Sequence, residues 1–222
     1  MKVALNHALV CSILEKVGGD KIKVLGTLSF EALYRRLNKQ EINLIEKFLE
    51  LDPKFFGFMG EFFGIGEIPK NLVTIKRQMF FLNGRKKYIK NQYLPLPVWV
   101  AYWKMNTACV REVGRELLVD SGYRSPACQM LTFLYYFKLY EFNFSKTVES
   151  VAFPGYSEHQ IDAVDLMTVD GIPQDDGAGF EETPEYEWLL KSANKFGFYL
   201  SYPENNGTGI KFEPWHWRYE GA

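Results

Sequence analysis

The stretch Pro154-Gly-Tyr-Ser-Glu-His159-Gln-Ile-Asp-Ala-Val-Asp165 holds one of only three histidines in the chain. Its end, Ala163-Val-Asp165, reads as a strand, and period-two alternation puts Ala163 and Asp165 on one face. A second histidine sits in a similar setting, in Glu213-Pro-Trp-His216-Trp-Arg-Tyr219. The third, His7, falls in an N-terminal apolar stretch and is expected to be structural or exposed.

Two imidazoles and one carboxylate, with a fourth position open, make a catalytic zinc shell. His159, Asp165 and His216 are the candidate ligands. A carboxylate free of the ion must then stand beside it to take a proton from water, and Glu213 is the candidate. Arg124 is a cation suited to a developing oxyanion or a substrate carboxylate, because its planar fork donates to both. The alternative is that both histidines are satisfied structural groups at strand ends.

The remaining composition sets bounds. The chain has 222 residues, 47% of them hydrophobic and 16% aromatic, which supports a packed aromatic core. The net charge of −1 offers no general excess of cations for a phosphate backbone, so nucleic-acid binding is not expected. The longest uncharged runs, such as Asn91 to Trp103, are too short for a transmembrane helix. The N-terminal MKVALNHALVCSILEKVGG reads as a helix of the folded protein rather than an export signal. Cys11, Cys109 and Cys128 are expected to be buried free thiols, with a Cys109–Cys128 bridge as the alternative.

Outward from the two histidine clusters, helices and strands segregate. Asn38-Lys-Gln-Glu41 has capping-box spacing, and Ile42, Ile45, Phe48 and Leu49 follow at helical intervals until Asp52-Pro53. The glycine-rich segment 57–69 lacks the Lys-Ser/Thr ending of a phosphate loop and reads as a flexible or tightly turned loop. Residues 72–93 read as a hairpin about Asn83-Gly84, a type I′ turn signal. Arg85-Lys86-Lys87 on its return strand reads as a solvated edge, or less readily as a contact for an anionic polymer. Helices are expected from Val98, from Pro126 and from Thr183-Pro-Glu185, with a short strand at Leu117-Leu-Val119. The expected class is α+β: a small antiparallel sheet carrying the site, flanked by helices. Residues 1–91 form a mainly helical extension that includes the hairpin, and 92–222 form the catalytic domain.

Three motifs in order resemble the zinc D,D-carboxypeptidases of the VanY type, within the LAS peptidase group. They are Ser121-Gly-Tyr-Arg-Ser125 with Gln129, then Pro154 through Asp165, then Glu213 through Tyr219. The likeness spans roughly residues 92 to 221. It implies a LAS/hedgehog-like fold with one Zn²⁺ per chain held by His159, Asp165 and His216. It implies Glu213 as general base and Arg124 as the group steadying the substrate carbonyl. Ser157 matches a family serine near the substrate's terminal carboxylate, and Gln129 a glutamine near the substrate. Tyr123 and Tyr156 would be pocket walls or simple packing. The substrate implied is a peptidoglycan stem peptide or muropeptide losing its C-terminal D-alanine, in the cell envelope or periplasm, with a cytoplasmic recycling role as the alternative.

One departure stands out. The family pattern Ser-x-His-x-x-Gly-x-Ala-x-Asp has seven residues from His to Asp, whereas His159 to Asp165 is six and the glycine is missing. The expectation is that the turn after His159 absorbs the loss and leaves Ala163-Val-Asp165 as a strand, with Asp162 as the competing ligand otherwise. The alternatives to a carboxypeptidase are a wall endopeptidase of the same family, a metal-bearing binding module, and a non-haem iron oxygenase. The last usually has His-x-Asp spacing.

Overall fold

The computed structural model describes residues 7–18, 26–171 and 177–221. Its helices are α1 (His7–Val17), α2 (Phe30–Tyr34), α3 (Lys39–Leu49), α4 (Leu96–Val113), α5 (Pro126–Leu139), α6 (Phe144–Val148), α7 (Gly177–Glu181) and α8 (Pro184–Ser192). Its strands are β1 (Leu72–Ile75), β2 (Met79–Leu82), β3 (Arg85–Tyr88), β4 (Gln92–Pro95), β5 (Leu117–Ser121), β6 (Ala163–Thr168), β7 (Phe198–Leu200) and β8 (His216–Tyr219). The fold is α+β.

The chain forms two compact units, each drawn from separate segments. The first comprises the chain up to Ile68 with Arg124–Ser157 and Gly207–Ile210; the second comprises Pro69–Tyr123, Glu158–Asn206 and the residues from Lys211. These lines differ from the segment division expected at residue 91. The hairpin groups with the strands, and α5 and α6 group with the N-terminal helices.

In the first unit the capping box of α3 forms as the spacing requires. The Asn38 side chain accepts from the Gln40 and Glu41 amides, and Glu41 accepts from the Asn38 amide. The fully buried Glu41 also receives Lys16 at 2.7 Å and Ser12 at 2.7 Å, which ties α1 to α3. Rings fill the interior: Phe48 meets Phe137 edge-on at 5.7 Å, and Phe144 stacks on Phe56 at 4.3 Å. The glycine-rich segment is tightly turned and pinned, its Met59 amide on Thr208 O and its Phe63 amide on Gly155 O.

In the second unit one antiparallel sheet runs β5-β6-β8-β7. Strand β6 is central and every residue of it is buried. Val98, Met105 and Cys109 of α4 share a core with Leu117, Val164, Leu166, Leu189, Phe198 and Trp217. Tyr102 donates its hydroxyl to Leu117 O at 2.6 Å, which ties α4 to β5.

The expected hairpin is present in two pieces. β2 pairs with β3 around Asn83 (φ 51°) and Gly84 (φ 70°), the two positive angles a type I′ turn demands. β1 pairs with β4 outside it, and three residues on each side, 76–78 and 89–91, break the ladder between. Gln78 explains the break. Its buried side-chain amide turns inward and exchanges two hydrogen bonds with the Val119 backbone, at 2.7 and 2.8 Å. The open edge of β5 is thereby satisfied by a side chain instead of a strand.

Candidate active site

Strand β6 delivers Asp165, and register does the rest. Asp165 lies opposite His216 of β8 on one side and Ser121 of β5 on the other. Glu213-Pro-Trp-His216 is a tight turn, closed by the His216 amide on Glu213 O at 3.0 Å, so the glutamate is folded back beside the imidazole. His159 lies in a 3₁₀ turn, Glu158–Gln160. The Ile161 and Asp162 amides both bond Glu158 O, at 2.9 and 3.0 Å. That turn accommodates the six-residue step, and β6 starts at Ala163 as expected. Asp162 stays out of the cluster.

The structure brings His159, Asp165 and His216 together: all three are buried, and one ligand atom from each lies within 4.8 Å of the others. His159 Nε2 is 3.1 Å from Asp165 Oδ2, and His216 Nδ1 is 2.8 Å from Asp165 Oδ1. The far nitrogens are also held. His159 Nδ1 lies 2.9 Å from Gly122 O and His216 Nε2 lies 3.1 Å from Glu158 Oε2. Both partners accept only, so those nitrogens carry hydrogen and the inward nitrogens are left to bind. Tetrahedral zinc with ligands at 2.0–2.1 Å wants donors roughly 3.3 Å apart. The donor set suits a dication in its chemistry, and each imidazole lies close to that distance from the carboxylate between them.

Charge agrees with that fit. Burial by itself would raise the Asp165 carboxyl, but the two imidazoles outweigh it and hold it far below the ordinary range. Burial would lower His216, yet its hydrogen bonds to Asp165 and Glu158, with the nearby Glu213 charge, push it up to about 10. Glu158 balances burial against His216 and Arg218 and comes down to about 2. In the metal-free protein a proton on His216 therefore supplies positive charge among three carboxylates. Glu213 Oε2 is 3.8 Å from His216 Nδ1, the inward nitrogen, so its carboxylate faces the same centre. Tyr202 is buried with its ring 4.7 Å from His216, and burial plus Glu158, Glu213 and Asp165 keep its phenol neutral.

Sequence reasoning did not assign Glu158, Tyr202 or the Gly122 carbonyl, although Glu158 directly precedes His159. The glycine at 122 has a steric cause. A Cβ there would sit well inside contact distance of Tyr93 O. The Tyr123 amide then bonds that same oxygen, and Tyr123 is buried.

Arg124, Gln129, Tyr156 and Ser157 belong to the first unit. Arg124 is half-buried, and its buried Nε has no hydrogen-bond partner among the described residues. Gln129 is buried and donates to Ala152 O at 2.7 Å, and its Oε1 has no partner among the described residues. Ser157 is buried, and the half-buried Tyr156 packs on Phe58 and Phe62. All three cysteines are free.

A small antiparallel sheet thus brings two imidazoles and a carboxylate to one point, with a second carboxylate alongside, a donor set that can hold a divalent ion. Residues 92–222 match the family model VanY, D-alanyl-D-alanine carboxypeptidase, and the chain belongs to that family. It is 28% identical over 159 residues to a D-alanyl-D-alanine carboxypeptidase of Enterococcus faecium, covering 69% of this chain and 46% of that protein. It is 36% identical over 119 residues to the bifunctional D-Ala-D-Ala dipeptidase and D-Ala-D-Ala carboxypeptidase VanXYC of Enterococcus gallinarum, covering 50% and 61%. The chain thus spans about half to three-fifths of these relatives. Among solved structures, the LD-carboxypeptidase LdcB, described in terms of peptidoglycan recognition, superposes with a TM-score of 0.59 at 30% identity, over 76% of this chain and 78% of that one.

Proposed function

We propose that the chain removes the C-terminal D-alanine from peptidoglycan stem peptides, using one Zn²⁺ per chain held by His159 Nε2, Asp165 and His216 Nδ1. The convergence of those three buried groups beside Glu213 carries the proposal. Zinc held by these three residues would supply Lewis-acid chemistry there, making a water acidic near pH 7 and polarising a carbonyl. Glu213 takes the proton as water adds to the last peptide carbonyl, then returns it to the leaving amine as the C–N bond breaks. Arg124, whose Nε has no hydrogen-bond partner among the described residues, steadies the carbonyl oxygen as it gains charge. Ser157 and the spare Oε1 of Gln129 serve the substrate's terminal D-alanine, and Tyr123 and Tyr156 wall it. Tyr202 stays neutral and covers one face of His216, which keeps water from that side.

The family description points to a D,D bond and the LdcB likeness to an L,D bond. Synthetic stem peptides ending in each, analysed by mass spectrometry with and without a chelator, decide between them. Release of D-alanine that stops on chelation and returns with zinc is the expected outcome. Glu213→Ala should lose at least a hundredfold in turnover, the usual scale for general-base loss, while keeping its zinc. Normal cleavage by that variant would defeat the mechanism, and cleavage within cross-linked muropeptides without D-alanine release would reassign the chain as an endopeptidase. The substrate places the protein in the cell envelope. Among the described residues no helix is long and apolar enough to cross a membrane.

A further inference from the structure

The charge of the chain is unevenly distributed. The net charge is −1, yet no acidic residue occurs between Glu67 and Glu112. Within that span the β2–β3 hairpin and its flanks expose Lys76, Arg77, Arg85, Lys86, Lys87 and Lys90. Among the described residues none of these six forms an ion pair. Lysines on an exposed strand edge guard against aggregation, and that alone would account for them. It does not account for the apolar groups beside them. Phe81 is 45% exposed, Leu82 38% and Tyr88 60%, next to a turn that could have been wholly polar.

Register sorts these groups. Phe81 stands across from Lys86, and Leu82 across from Arg85. Lys86 Nζ lies 5.5 Å over the Tyr88 ring. Each face of the tip therefore offers an apolar group with a cation next to it. The base of the hairpin is anchored, with the Phe81 amide on Val169 O at 2.7 Å, Phe80 against Gly171, and Gln78 on Val119. The tip is thus a held projection.

We infer that this hairpin docks the protein on an anionic phospholipid surface. Cations draw such a segment to acidic headgroups, and aromatic and aliphatic tips enter the boundary between headgroup and acyl chain. A soluble phosphate polymer would reward the cations and leave Phe81 and Leu82 in water, so the lipid surface is the better match to both features.

The test is co-sedimentation of the full chain with vesicles of phosphatidylglycerol mixed with phosphatidylcholine, against phosphatidylcholine alone. Binding only to the anionic vesicles, weakening with salt, is expected. About 1 kcal/mol per cation near the surface is about fivefold in affinity. The triple variant Arg85→Gln, Lys86→Gln, Lys87→Gln should therefore bind roughly a hundredfold more weakly. The pair Phe81→Ser, Leu82→Ser should also lose binding, and all these exposed changes should leave the melting temperature near that of the parent. Absence of binding, or equal binding to neutral vesicles, would overturn the inference. So would undiminished binding by the Phe81→Ser, Leu82→Ser pair together with displacement by soluble polyphosphate, which would reassign the hairpin to a phosphate polymer.

Discussion

Replacing Glu158 by Gln keeps an acceptor for His216 Nε2 but deletes the charge. In the parent the contact is 3.1 Å, between side chains 13% and 4% exposed, so solvent screens it little. The carboxylate fixes the imidazole's tautomer and makes its inward nitrogen more basic. Outer partners of this kind are typically worth 10–100-fold in metal affinity, or about 1.4–2.7 kcal/mol. A hydrogen bond to a charged group is separately valued at about 1.5–3 kcal/mol, so two routes reach the same scale. The expected result is a 10–100-fold weaker zinc site in Glu158→Gln, read by competition with a chromophoric chelator. Turnover at saturating zinc should be far less affected, because Glu158 is placed behind the ligand. Glu158→Ala should be worse, since it leaves a buried N–H without an acceptor. Zinc affinity within twofold of the parent would refute the view that Glu158 supports the site.

The remaining predictions concern pH and packing. Below about pH 10 the metal-free site holds a proton on His216 that zinc must displace, so apparent zinc affinity should rise about tenfold per pH unit from pH 6.5 to 9; a flat profile in a chelator titration would count against it. The raised pKa of His216 stabilises the metal-free fold fully below pH 6.5, and that contribution is lost as pH climbs to about 10. The depressed pKa of Asp165 works the opposite way, stabilising above pH 3.8 and fading as acid is added. Melts of metal-free protein across both windows should fall toward each end. Gly122→Ala drives a methyl into the Tyr93 carbonyl, an overpacking cost of about 1–3 kcal/mol, and should lower melting by roughly 2–12 °C while loosening His159. A variant that melts and binds zinc like the parent would show that the carbonyl is not held as described.

The grouping of His159, Asp165 and His216 was legible because its determinants are local or scarce. Three histidines leave few combinations, and strand alternation alone orients Asp165. The Asn38 cap and the Asn83-Gly84 turn were legible for the same reason, since each depends on a few adjacent residues. Glu158 was not. It precedes His159, and only the 3₁₀ turn reveals that its carboxylate reaches His216, 58 positions away. Gln78 escaped for a like reason, as a polar residue inside an apparent strand whose partner lies 41 residues on. The grouping of α5 with the N-terminal helices rests on packing between distant segments, which periodicity within either segment does not encode. Ser157 and Gln129 were picked out by resemblance, and with Arg124 they belong to the first unit.

The most direct test of the account is X-ray absorption at the zinc edge on protein purified without added metal and then loaded. One zinc per chain is expected, in a shell of nitrogen and oxygen at 2.0–2.1 Å with two imidazoles, and His216→Ala should abolish it. A sulfur shell near 2.3 Å would place the ion on a cysteine. That result, or stoichiometric zinc retained by His216→Ala, would contradict the site described here.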